Sequence, residues 1–80
     1  MLMPTKHIKT ENALVGVGAE VLSLLDRDKT VSTLFRDLQK WRRDNDLATI
    51  HFDWFLLSLD FLYSVGALRF ESGLLKKMNQ

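Results

Sequence analysis

The 80-residue chain is predicted to fold as one mostly helical α+β domain, three helices followed by a β-hairpin. Apolar residues recur at helical spacing in three separate segments between Ala13 and Gly66. Two polar stretches, Asp26-Arg27-Asp28-Lys29 and Arg42-Arg43-Asp44-Asn45-Asp46, divide those segments. After Gly66, two short runs flank Glu71-Ser72-Gly73, where glycine supplies the positive φ that a tight turn needs. Three helices and then a hairpin is the order of a winged helix-turn-helix domain, with residues 67–78 as the wing.

At the N-terminus, residues 1–9 lack helical periodicity, and Pro4 biases the residue before it toward extended backbone. This block is expected to form a short N-terminal edge strand or an arm. Helix one is expected from Ala13 to Leu25, on Leu14, Val17, Val21, Leu22 and Leu25, with Thr10 or Asn12 as its N-cap. Gly16 and Gly18 each weaken that helix by roughly 1 kcal/mol relative to Ala, which points to close approach of another backbone. Asp26 to Lys29 is then a polar turn.

Helix two begins after Thr30 as N-cap, carries Val31, Leu34, Phe35, Leu38 and Trp41 on one face, and ends near Asp44. Helix three lies between His51 and Gly66, entered through Thr49 to Asp53 with His51 in its first turn, and has two apolar faces. Phe52, Phe55, Leu56, Leu59, Leu62 and Tyr63 form one; Trp54, Leu57, Phe61 and Val65 form the other. A helix apolar nearly all round must be buried nearly all round. Gly66 suits its C-terminal end.

Composition narrows the function classes. A domain of this size buries only about 60–65% of the surface its unfolded chain exposes, so small chains lean on disulfides, metals or partners. The absence of cysteine excludes a disulfide framework and thiolate zinc sites, and it fits a reducing compartment, so a cytoplasmic location is expected. No basic stretch followed by an apolar run marks a secretory signal. The apolar stretch Trp54 to Leu68 is broken by Asp60 and is shorter than the ~20 residues of a bilayer span, so no membrane partner is expected. Eleven basic and ten acidic residues leave a net charge of +1, without the basic excess of a protein living on phosphate contacts.

Residues able to do chemistry are sparse. His7 and His51 are far apart, and neither pairs with a metal ligand at i, i+4, so no metal site is expected. Asp53 and Asp60 share a face of helix three, but two turns separate them by about 10 Å, too far to share a proton. Gly16-Val17-Gly18-Ala19-Glu20 lacks the third glycine and the Lys-Ser/Thr ending of a phosphate loop. No nucleophile elbow or cysteine nucleophile exists. The expectation is a non-enzymatic protein with no catalytic residue, cofactor or metal.

Helix three, which reads DNA in many winged helices, has no Arg, Lys, Asn or Gln between His51 and Leu68, and its formal charges, Asp53 and Asp60, repel phosphate. Trp54, Leu57 and Phe61 are therefore expected at a protein interface, with Asp60 in an interface ion pair and Lys6 and His7 contributing from the N-terminal block. The alternative is that the aromatic residues fill the core. Arg42 and Arg43, on and after the end of helix two, with Lys76 and Lys77 on the wing, are candidates for non-specific contact with the nucleic-acid backbone. The corresponding alternative function is a small winged-helix DNA-binding transcriptional regulator. Homodimerisation through helix three stays open.

The chain also resembles a known family, through Met3-Pro4-Thr5-Lys6-His7-Ile8, Ala13-Leu14-Val15-Gly16-Val17-Gly18-Ala19, Phe52-Asp53-Trp54-Phe55, Leu59-Asp60-Phe61-Leu62-Tyr63 and Gly66-Ala67-Leu68. It is similar over nearly its whole length to the middle component, of the short winged-helix type counted sixth, of bacterial three-component systems built around an ABC-type ATPase. The resemblance implies a non-catalytic adaptor subunit linking an SMC-like or related ABC ATPase to an effector protein, in antiviral defence against phage or plasmid DNA. It transfers no catalytic or binding residue.

Overall fold

The computed structural model describes residues 5–78, with side chains described from residue 13 onward. The expected three helices and hairpin are present: α1 (Thr5–Leu24), α2 (Val31–Asp44), α3 (Phe52–Ser64), β1 (Leu68–Glu71) and β2 (Leu74–Lys77). No helix among the described residues is long and apolar enough to cross a membrane.

Helix α1 begins at Thr5, not at Ala13, so Thr5 to Ile8 are helical where an extended strand or arm was expected, and Thr10 and Asn12 lie inside the helix, not at its N-cap. No helix breaker occurs from Thr5 to Asn12, and a proline just before a helix costs nothing where the first N–H groups lack intrahelical partners. The part of that block formed by Met1 to Pro4 lies outside the described residues.

Helix α2 has the expected limits. The Thr30 side chain accepts from the Thr33 N–H, and Asp44 is the last helical residue. Beyond the C-cap Asn45, Asp46 takes a left-handed φ of 60°, so that its N–H reaches the Arg43 carbonyl and the Leu47 N–H reaches that of Arg42. The same two-bond closure ends α3: Gly66 sits at φ 78°, one position beyond the C-cap Val65, and the N–H groups of Gly66 and Ala67 reach the carbonyls of Tyr63 and Leu62. At the other end of α3, His51 is the N-cap and not a first-turn residue.

In the hairpin, β1 and β2 pair antiparallel with Leu68 opposite Lys77 and Phe70 opposite Leu75. Ser72 and Gly73 both have positive φ, 54° and 80°, as a two-residue type I′ turn requires. Asp26 to Lys29 is more than the polar turn expected. Lys29 bridges Leu75, its N–H donating to the Leu75 carbonyl at 3.3 Å and its carbonyl accepting from the Leu75 N–H at 2.7 Å. This one-residue third strand places β2 inside the sheet and leaves β1 at its edge.

The core draws on every element. Val17, Val21 and Leu25 descend one side of α1 and its exit at helical spacing; Leu34 and Leu38 come from α2, Phe55, Leu59 and Leu62 from α3, and Leu68 and Leu75 from the hairpin. Each such side chain contributes about 1.5–3 kcal/mol on burial. Polar ties fix the helices around it. Gln39 on α2 donates to the Ile50 carbonyl at 2.8 Å and accepts the Ile50 N–H at 3.0 Å, which locks the start of α3 against α2.

Candidate protein-docking groove

The side chains of α3 sort into three strips. Phe55, Leu59 and Leu62 are buried in the core, with Ser58, whose hydroxyl donates to the Trp54 carbonyl. Trp54 and Phe61, expected at an interface, are half-buried and pack against that core. Phe61 lies beside α1 at Gly18, where a Cβ would meet it at 3.7 Å and Leu62 at 3.2 Å. Leu57 and Val65, from the same expected face, are exposed.

A third strip turns toward the wing and was not separated from the core face by periodicity. Leu56 and Tyr63 share the face of Phe55, Leu59 and Leu62 on a helical projection, yet both are exposed, Tyr63 by 64%. Across from them stands Phe70 on β1, 57% exposed. Alternation along β1 puts Leu68 and Phe70 on the same face of the hairpin, and the register adds Leu75 opposite Phe70. Leu56, Leu59, Asp60, Tyr63, Leu68, Phe70 and Leu75, together with Val31 of α2, line a groove of about 220 Å³. The signal in the sequence was Phe70, an aromatic residue flanked by charges on a strand too short to bury both faces.

The groove is almost entirely apolar. Asp60 is the single ionisable carboxylate among its lining residues, is exposed, and has no ion-pair partner among the described side chains. Two of the three wing cations are already engaged, Arg69 with Glu71 at 3.2 Å and Lys76 with Asp28 at 2.9 Å, while Lys77 has no ion pair among the described residues. The Asp28 carboxylate holds the Lys76 ammonium above its usual range.

The four cations proposed for nucleic-acid contact are not free as a set. The Arg42 guanidinium pairs with Glu20 on α1 at 2.6 Å and also donates to the Ala48 carbonyl, so it ties α1, α2 and the α2–α3 loop together. An arginine in the last turn of a helix reads as surface charge in the sequence because its partner is 22 residues away. Lys76 is held by Asp28, and alternation along β2 sends Lys76 and Lys77 to opposite faces of the hairpin. Arg43 and Lys77 are exposed at the ends of α2 and β2. Lys6 and His7, expected to contribute to the interface, fall in the first turn of α1, and their side chains lie outside the described residues.

Residues 3–79 match the family model of the ABC-three component (ABC-3C) system Middle Component 6. The chain belongs to that family. As a middle component it is one part of a system of several proteins, which implies protein partners, and the family resemblance seen in the sequence is thereby shown. Comparison with the curated proteins and with the solved structures gave no match.

Proposed function

We propose that this Middle Component 6 chain is a non-catalytic adaptor that joins an SMC-like or related ABC-type ATPase to an effector protein, acting in the bacterial cytoplasm in defence against phage or plasmid DNA. The observation that carries the reading is the outward side of α3. Where a DNA-reading winged helix presents basic and amide side chains, this one presents Leu56, Leu57, Asp60 and Tyr63. Exposed aromatic and aliphatic residues grouped beside a groove are the anchors that dominate protein interfaces. Family membership supports the adaptor role, since a middle component has partner proteins to bridge.

The test is co-expression of the tagged chain with the ABC-type and effector components of its own system, followed by affinity capture and size-exclusion chromatography. Stoichiometric recovery of both components is expected. Salt-sensitive recovery of nucleic acid and no protein would overturn the reading in favour of a DNA-binding regulator.

A further inference from the structure

We propose that the groove between α3 and the wing receives a short linear segment of another component of the system, which seats one large apolar side chain between Tyr63 and Phe70 and pairs a Lys or Arg with Asp60; this rests on the adaptor reading.

Size and lining set the class of occupant. A volume of about 220 Å³ is smaller than the roughly 300–1,000 Å³ of small-molecule and cofactor sites, and it suits one bulky side chain. Leu56, Leu59, Leu68, Phe70 and Leu75 reward an apolar group there. Charge sets the rest. Asp60 has no ion-pair partner among the described residues: of the wing cations, Arg69 and Lys76 are held by Glu71 and Asp28, and Lys77, opposite Leu68, is not part of the groove lining, so a cation carried by the occupant is the group that completes Asp60. On a partner helix, an anchor and a basic residue one turn apart would reach the groove and Asp60 together, as in helix-in-groove recognition. A second copy of this chain fits less well. A two-fold contact centred on the groove would bring the two Asp60 carboxylates toward each other, and like charges at an interface are costly. Phosphate would meet the same negative charge.

The experiment has two arms. In the first, overlapping synthetic peptides covering the ABC-type and effector components are titrated against the wild-type chain, Asp60→Asn, Asp60→Lys and Tyr63→Ser. Both positions are exposed, and circular dichroism melting checks that each variant stays folded. Peptides that bind are expected to carry a bulky apolar residue with Lys or Arg about one turn away. Asp60→Asn should weaken them roughly tenfold and Tyr63→Ser more. Asp60→Lys should instead bind a peptide whose basic residue is changed to Glu. Binding indifferent to Asp60 and Tyr63 overturns the proposal, and so does failure of every peptide to bind.

In the second arm the whole complex is captured through wild-type and Asp60→Lys chains. Equal recovery leaves the adaptor standing and overturns the groove assignment, whereas no recovery with the wild-type chain removes the adaptor reading itself. A homodimer that Tyr63→Ser disperses assigns the groove to a second copy and overturns the proposal.

Discussion

The Lys29 ammonium donates to the Leu24 carbonyl at 2.7 Å and to Asp37 at 2.8 Å, with Asp26 at 3.3 Å, while its own backbone pairs with Leu75 of the wing. It is 8% exposed, so a charge taken from water is repaid by three acceptors. The hydrogen bond to Asp37 is the largest cause that holds the Lys29 pKa above its usual 10.5, against the opposing pull of burial. Lys29 in turn holds the exposed Asp26 carboxyl below its usual range, chiefly through their hydrogen bond. Replacing Asp37 by Asn leaves the ammonium with a weaker partner. Removing one partner of a fully buried pair costs about 3–5 kcal/mol, and because Asp37 is a third exposed and Asp26 remains, about 2 kcal/mol is expected here. The sign of the pH effect follows from the raised pKa. Lys29 contributes fully below 10.5 and loses its contribution as pH rises through the higher folded-state value. Denaturant melts of wild type and Asp37→Asn should therefore differ clearly at neutral pH and converge in strong alkali. A gap that persists unchanged at high pH would show that Asp37 acts through packing alone.

Among the elements, α1 and α3 illustrate how two glycines of one helix come to mean different things. A Cβ at Gly18 would stand 3.2 Å from Leu62, whereas at Gly16 nothing lies within 4 Å. Both were expected to mark close approach, and only Gly18 does; the approach there is made by α3 side chains. Gly16→Ala should raise stability by about 0.5–1 kcal/mol through helix propensity alone. Gly18→Ala should gain nothing or lose, since buried Leu62 would have to give way. Equal gains in thermal melts of the two variants would show that α1 and α3 do not close at this point. The limits of α2 were legible because Thr30 and the Asp/Asn cluster act within a few residues of the helix ends. The start of α1 was not, because Thr5 to Asn12 carries no regular apolar stripe for periodicity to detect.

At the scale of the whole molecule, element order, hairpin and most of the core could be read from local spacing, since each depends on neighbours close in sequence. The groove could not. Tyr63 and Leu56 repeat with Phe55 and Leu59 on a helical projection, and only the position of the hairpin decides which of them are covered. The same limit hid the reach of Arg42 to Glu20 and of Lys29 to the wing, contacts between residues at least 22 positions apart in sequence. Lys29 has a further consequence for how the chain meets reagents. Its amine is sealed by the acceptors that satisfy it, while Lys40 has a side chain 70% open to solvent. An acylating probe should modify Lys40 at once and reach Lys29 only when the molecule opens globally, so the adduct at that single nitrogen clocks unfolding. Peptide mass spectrometry across a denaturant series reads it, and equal labelling rates at the two lysines in native buffer would mean that the cluster around Lys29 opens without the fold.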